Sequence, residues 1–141
     1  MKPSQRIVVL TAAALVAAVA ATSAMALASA GEPAIKLKDK RFGNILATPS
    51  HKALYYWSRE QKDFRIRCTG ACAKAWPPLI ARSRAAVPKR IAGVKGTFGV
   101  VVRPDGKLQV THDRLPLYTY ANEGPNQVLC NNVDGWFVVR V

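Results

Sequence analysis

Thr97-Phe98-Gly99-Val100-Val101-Val102-Arg103 runs into Pro104-Asp105-Gly106-Lys107 and then Leu108-Gln109-Val110-Thr111-His112, and this stretch decides the fold class. The first segment is rich in β-branched residues, whose stiff side chains pack well on a pleated surface. Asp-Gly supplies the reversal, with glycine where a positive φ is needed. The last segment alternates apolar and polar residues, the period of a strand with one buried face. Downstream, Asp113-Arg114-Leu115 makes a second turn into Pro116-Leu117-Tyr118-Thr119-Tyr120, and Gly135-Trp136-Phe137-Val138-Val139-Arg140-Val141 reads as another strand. Four such strands predict a mainly β domain, an antiparallel meander or a small curled, barrel-like sheet.

The earlier half carries a degenerate copy of this plan at an offset of 63 residues. Ile45-Leu46-Ala47-Thr48 lines up with Leu108-Gln109-Val110-Thr111, Leu54-Tyr55 with Leu117-Tyr118, Trp57 with Tyr120, and Glu60 with Glu123. Each acidic residue is followed by a loop and a tryptophan, Trp76 or Trp136. Two copies are too few for a solenoid and are expected to share one core. The pseudo-repeats span about 42–79 and 97–141. Residues 80–96, rich in Ala, Arg and Lys, read as a surface linker, and residues 31–41 as a flexible basic lead-in.

The N-terminus reads as an address. Lys2 and Arg6 precede an uncharged run from Ile7 to Ala30, and Ala28-Ser29-Ala30 before Gly31 forms a small-residue cleavage signal. Residues 1–30 are therefore read as a cleaved signal peptide; an uncleaved membrane anchor is the competing reading, since the run is long enough to span a bilayer. No cysteine stands near the junction to carry a lipid. The expected location is secreted or periplasmic, without a lipid anchor or a transmembrane segment after cleavage.

Cleavage would remove Lys2 and Arg6 from 21 basic residues and none of the 8 acidic ones, leaving a net charge of +11. The cations cluster in Lys36-Leu37-Lys38-Asp39-Lys40-Arg41, at Arg65 and Arg67, and through Arg82, Arg84, Lys89, Arg90 and Lys95. In an exported protein such a surface meets anionic wall polymers, lipid headgroups and acidic proteins first. The alternative is that the charge serves solubility alone. Aromatic residues do not interleave the basic runs as a single-strand groove requires, so nucleic acid is a weak candidate.

Cys68 and Cys72, four residues apart in an exported chain, are expected to form a disulfide, with Cys68–Lys74 in one or two helical turns ended by Pro77-Pro78. A redox dithiol competes with this reading, although the spacing is C-x-x-x-C. Cys130 is then a free thiol, buried or available for an intermolecular bond; three cysteines also allow three single-bridge choices. An extracytoplasmic redox, metal or haem role through Cys130, His51, His112 or the Cys68/Cys72 pair is the alternative function. The chain has no C-x-x-C-H or H-x-x-x-H pattern for it, and no metal or cofactor is assigned.

Tyr55 and Trp57, like Tyr118 and Tyr120, lie two apart and so share one face of a strand. Core packing is the first reading, and a stacking surface for a planar ligand or sugar the second. Glu60 and Glu123 could accept backbone N–H groups at a turn, pair as acid and base, or hold a cation.

Cys68-Thr69-Gly70-Ala71-Cys72-Ala73-Lys74-Ala75-Trp76-Pro77-Pro78-Leu79, set between Leu54-Tyr55-Tyr56-Trp57-Ser58-Arg59-Glu60 and Leu117-Tyr118-Thr119-Tyr120-Ala121-Asn122-Glu123, resembles the secreted-repeat family of bacterial envelope proteins. That family, usually lipoproteins, is described by a Tyr-x-(Phe/Trp/Tyr)-x-x-Asp motif. The resemblance covers most of residues 42–141 and extends to Asp105-Gly106-Lys107-Leu108-Gln109-Val110-Thr111 with Pro116-Leu117-Tyr118. It implies an envelope location and assigns no reaction. The chain departs from the pattern in Glu for Asp at both motifs, in the missing lipid-bearing cysteine, and in Cys130. The combined reading is a non-enzymatic binding module with a basic surface, its candidate binding residues being Tyr55, Trp57, Glu60, Tyr118, Tyr120, Glu123, Arg82, Arg84, Lys89 and Arg90. The oligomeric state is left open.

Overall fold

The computed structural model describes residues 31–141, and the signal peptide expected at 1–30 lies outside the described residues. In chain order the strands are β1 (Ile35–Asp39), β2 (Gly43–Ala47), β3 (Tyr55–Trp57), β4 (Ile80–Ala81), β5 (Phe98–Val102), β6 (Leu108–His112), β7 (Leu115–Pro116) and β8 (Trp136–Val138). A short α-helix, α1 (Ala71–Ala75), starts within the Cys68–Cys72 loop and runs past it, and two single 3-10 turns stand at Ser58–Glu60 and Arg84–Ala86. The strands form small antiparallel sheets: β1 with β2, β3 with β8, and β6 with β4, β5 and β7. Among the described residues these do not close into a barrel.

The β5–β6 hairpin follows the sequence directly. Val100 pairs with Val110 and Val102 with Leu108, and Gly106 makes the turn at φ +83°. The C-terminal strand departs from the expected meander. It leaves β6 and pairs with β3, placing Tyr55 opposite Val138 and Trp57 opposite Trp136. The reason is burial: Trp136 and Val138 enter the same apolar cluster as Tyr55, Trp76 and Tyr118.

Residues 31–41 are not a loose lead-in. Ile35–Asp39 is a strand in full register with β2, with Lys36 and Lys38 exposed and Ile35 and Leu37 turned toward the protein. The alternation is period two, and the basic composition conceals it. The segment 80–96 is likewise more than a surface connection. Ile80 and Ala81 pair with β6, and Ile91 is buried beside Leu46, Phe98 and Val110.

Backbone hydrogen bonds recur in matched pairs around the centre. Tyr55 N donates to Tyr118 O at 2.8 Å, and Tyr118 N to Tyr55 O at 2.9 Å. Leu54 N donates to Leu46 O and Leu46 N to Val139 O; Leu117 N donates to Val110 O and Val110 N to Leu79 O. By these bonds Leu46 corresponds to Val110, one position away from the uniform offset read in the sequence. β1 therefore occupies beside β2 the place that β5 occupies beside β6.

Candidate functional site

Four rings stack through the middle of the molecule in the order Trp57, Trp136, Trp76, Tyr120. Their centroids are 5.2, 3.9 and 4.7 Å apart, and the first two pairs are nearly parallel. Tyr55 meets Trp76 edge-on at 5.2 Å, and Tyr118 meets Trp136 edge-on at 5.0 Å, the arrangement the ring quadrupole favours. Tyr55, Tyr118, Trp76 and Trp136 are buried, while Trp57 and Tyr120 are half-buried at the two ends of the stack. Arg59 lies over Trp57 at 5.2 Å. This apparatus is core, and its faces are taken up by one another.

The two tyrosines and the two glutamates cross over. Tyr118 OH donates to Glu60 at 2.9 Å, and Tyr55 OH donates to Glu123 Oε2 at 2.6 Å. Glu60 also accepts the backbone N–H groups of Arg67 at 2.7 Å and Cys68 at 3.2 Å. Glu123 Oε2 accepts that of Leu129 at 2.8 Å, whereas its Oε1 is buried without a partner. Burial, and then the adjoining Glu123 carboxylate, pushes the Tyr55 phenol far above its ordinary pKa. Burial followed by Glu60 does the same for Tyr118. Both phenols thus stay protonated and act as donors. The carboxylates anchor the loops that follow them, and this geometry gives them a structural role.

Burial raises the Glu123 carboxyl above its ordinary pKa against the opposing Tyr55 and Leu129 hydrogen bonds. A folded-state pKa above the unfolded value means that the native state binds the extra proton. The Glu123 contribution is accordingly full below the unfolded pKa and is lost as pH rises through the folded pKa. The urea midpoint is expected to fall over that interval in the native protein and to flatten in Glu123→Gln. An unchanged pH profile in the variant would refute the assignment.

Cys68 and Cys72 are bridged with an S–S distance of 2.05 Å, which ties the residue ahead of the turn to the first turn of α1; the helix is capped by Trp76 ahead of Pro77 and Pro78. Closing so short a loop contributes about 2 kcal/mol on the chain-entropy model. Cys130 is a free, half-buried thiol, and burial followed by the nearby Glu123 raises its pKa. That makes it a poor thiolate at neutral pH. The histidines are engaged separately: His51 Nδ1 is 3.2 Å from Asn126 Oδ1, and His112 Nε2 is 2.7 Å from the Lys95 carbonyl. Among the described residues, no three His, Cys, Asp or Glu side chains gather as a metal-ligand group.

The sequence reading missed a buried polar pair. Arg103 Nη1 donates to Gln109 Oε1 at 2.5 Å and Nη2 to the Cys68 carbonyl at 3.0 Å, while Gln109 Nε2 donates to Leu117 O at 2.8 Å. Arg103 thus ties the β5–β6 hairpin to the disulfide loop. The alternation in Leu108–His112 placed Gln109 on an outer face, but β6 is covered on both faces and Gln109, Thr111 and His112 are buried, so the sequence carried no signal for this pair.

The solvent-facing chemistry is cationic. Arg82, Arg84, Lys89, Arg90 and Lys95 are all exposed, and the segment 80–96 contains no Asp or Glu. It is held in place by the pairing of Ile80 and Ala81 with β6, by the Phe98 N–H donating to the Lys89 carbonyl, and by buried Ile91. Lys36 of β1 reaches the same region, its Nζ lying 3.4 Å from where a Cβ on Gly93 would stand. Of the residues singled out from the sequence, Tyr55, Trp57, Glu60, Tyr118, Tyr120 and Glu123 therefore converge in the interior. Arg82, Arg84, Lys89 and Arg90 stand apart from them on the surface. Among the described residues, no helix is long and apolar enough to cross a membrane. In comparisons with known proteins, the chain matches no family model, no curated protein and no solved structure.

Proposed function

We propose that this chain is an exported, non-enzymatic binding module whose basic surface docks on an anionic component of the cell envelope. The observation that carries the reading is the run Arg82, Arg84, Lys89, Arg90 and Lys95, all exposed on a segment without a single carboxylate. A solvated, unpaired cation row attracts polyanions over a Debye length of roughly 8 Å at physiological salt. The aromatic and acidic residues are meanwhile committed to packing and internal hydrogen bonds, which leaves charge as the chemistry on offer. The Cys68–Cys72 bridge is compatible with an oxidising compartment.

The proposal includes kinship with the secreted-repeat envelope proteins, with Glu60 and Glu123 in the acidic position of their motif. Descent of the two halves from one duplicated unit belongs to the same proposal, and the matched hydrogen bonds of Leu46 and Val110 support it.

The test is retention of the purified protein on anionic envelope material against rising salt. The quadruple variant Arg82→Gln, Arg84→Gln, Lys89→Gln, Arg90→Gln is expected to elute at markedly lower salt, with an unchanged circular-dichroism spectrum. Identical elution of native and variant proteins would remove the electrostatic reading of this segment.

A further inference from the structure

Strand β1 carries cations that the fold does not ask for. Lys36 lies opposite Leu46 and Lys38 opposite Asn44, while Val100 lies opposite Val110 and Val102 opposite Leu108. Since Leu46 and Val110 make the same backbone bonds, the places of Lys36 and Lys38 are held on the other hairpin by Val100 and Val102. Continuing through turns of equal length, Lys40 and Arg41 correspond to Pro104 and Asp105. The same backbone is thus built without any of the four cations.

Lys36 and Lys38 project from one face of the strand, about 7 Å apart at the rise of extended chain. Lys40 and Arg41 extend the charge around the turn, and all four are exposed. Beside them runs a groove of about 500 Å³, bounded by Leu37, Lys38, Lys40, Arg41, Val128 and Leu129. Leu129 is 56 % exposed, a large apolar side chain standing in solvent against a cationic wall. The acidic residue nearby, Asp39, is turned to the backbone, accepting from Arg41 N at 2.7 Å and Phe42 N at 2.9 Å. The Arg41 guanidinium donates to the Val128 carbonyl, which joins the turn to the loop bearing Leu129.

We infer that this face, β1 with its turn and the loop at Leu129, is a docking surface for anionic phospholipid bilayers. The lysines lie against the headgroup phosphates and Leu129 enters the interface between them. Charge complementarity selects an anionic occupant, and an exposed leucine among cations selects one with an apolar layer beneath its charge. A soluble polyanion would satisfy the lysines and leave Leu129 in water. The inference rests on the basic-surface reading above and narrows it to one partner.

The purified protein is to be co-sedimented with phosphatidylcholine vesicles, with vesicles also containing phosphatidylglycerol, and titrated with a soluble glycerol-phosphate polymer. Binding is expected on the anionic vesicles and to be lost on phosphatidylcholine alone. Lys36→Gln, Lys38→Gln, Lys40→Gln together should weaken it on the order of a hundredfold, from about 1 kcal/mol per lysine at such a surface. The double variant Lys38→Gln, Lys40→Gln keeps the Lys36 contact at Gly93 and should lose roughly thirtyfold, which guards against a folding artefact. Leu129→Ser should weaken vesicle binding while leaving polymer binding unchanged. If Leu129→Ser and the lysine variants bind anionic vesicles like the native protein, or if the polymer binds and the vesicles do not, the bilayer inference is overturned and the basic-surface reading stands. If neither anion binds, both fall.

Discussion

Trp136→Ala is expected to lower stability by about 3–5 kcal/mol, the range for deleting a buried aromatic side chain. A domain of this size has roughly 5–15 kcal/mol in all, so the variant should stand near the edge of folding and melt on the order of 15 °C lower. The magnitude follows from position. Trp136 is 3 % exposed, stacks on Trp76 at 3.9 Å on one side and on Trp57 at 5.2 Å on the other, and receives the edge of Tyr118. Its removal opens a void between Trp57 on the paired strand and Trp76 in the segment after α1, where neighbours cannot collapse without breaking the β3–β8 pairing. Trp57→Ala, at the half-buried end of the stack, should cost about 1–2 kcal/mol, through partial loss of apolar burial and of the Nε1 donation to Asp134 O. Thermal and urea unfolding of the two variants checks the order. Equal losses would mean that the stack is not the centre of the core.

What the sequence made legible was local. The β5–β6 hairpin could be read from β-branched residues and one Asp-Gly turn, because its partners lie within a few residues of each other. The Cys68–Cys72 bridge was legible for the same reason. The pairing of β3 with β8 was not, since nothing in Tyr55-Tyr56-Trp57 distinguishes one apolar strand from another as its neighbour. Strand β1 was missed because four cations within residues 36–41 outweighed a two-residue alternation of Ile35 and Leu37. Of the candidate site, the sequence brought out the tyrosines and glutamates as groups, yet could not show that each tyrosine serves the glutamate of the other half. That crossing depends on Tyr55 and Tyr118 lying directly opposite, a tertiary fact. The basic surface was visible as composition, but its continuity from Lys36 to the segment at Gly93 required the fold.

Glu60 and Glu123 are expected to differ sharply when each is changed to glutamine, although they occupy corresponding places. Glu60 Oε1 accepts from Arg67 N, Cys68 N and Tyr118 OH, and Oε2 lies 3.1 Å from the same hydroxyl. The side chain is fully buried, and each of its hydrogen-bond partners is a donor. Glutamine can offer its carbonyl oxygen to all three donors at the Oε1 position, but three charge-assisted bonds then become neutral ones of roughly half the strength, and its NH2 meets the Tyr118 hydroxyl where Oε2 stood. Glu60→Gln is therefore expected to cost about 2–3 kcal/mol, and Glu60→Ala, which strands all three donors, on the order of 5 kcal/mol. At Glu123 both donors converge on Oε2, and Oε1 faces nothing that donates. Glutamine can keep its carbonyl oxygen toward Tyr55 and Leu129 and place its NH2 where Oε1 stood, without the cost of burying a charge. Glu123→Gln should change stability by less than about 1 kcal/mol. Urea midpoints at neutral pH measure both. A costly Glu123→Gln with a tolerated Glu60→Gln would reverse the assignment and make the unpartnered Oε1, rather than the Glu60 network, the atom on which the core depends.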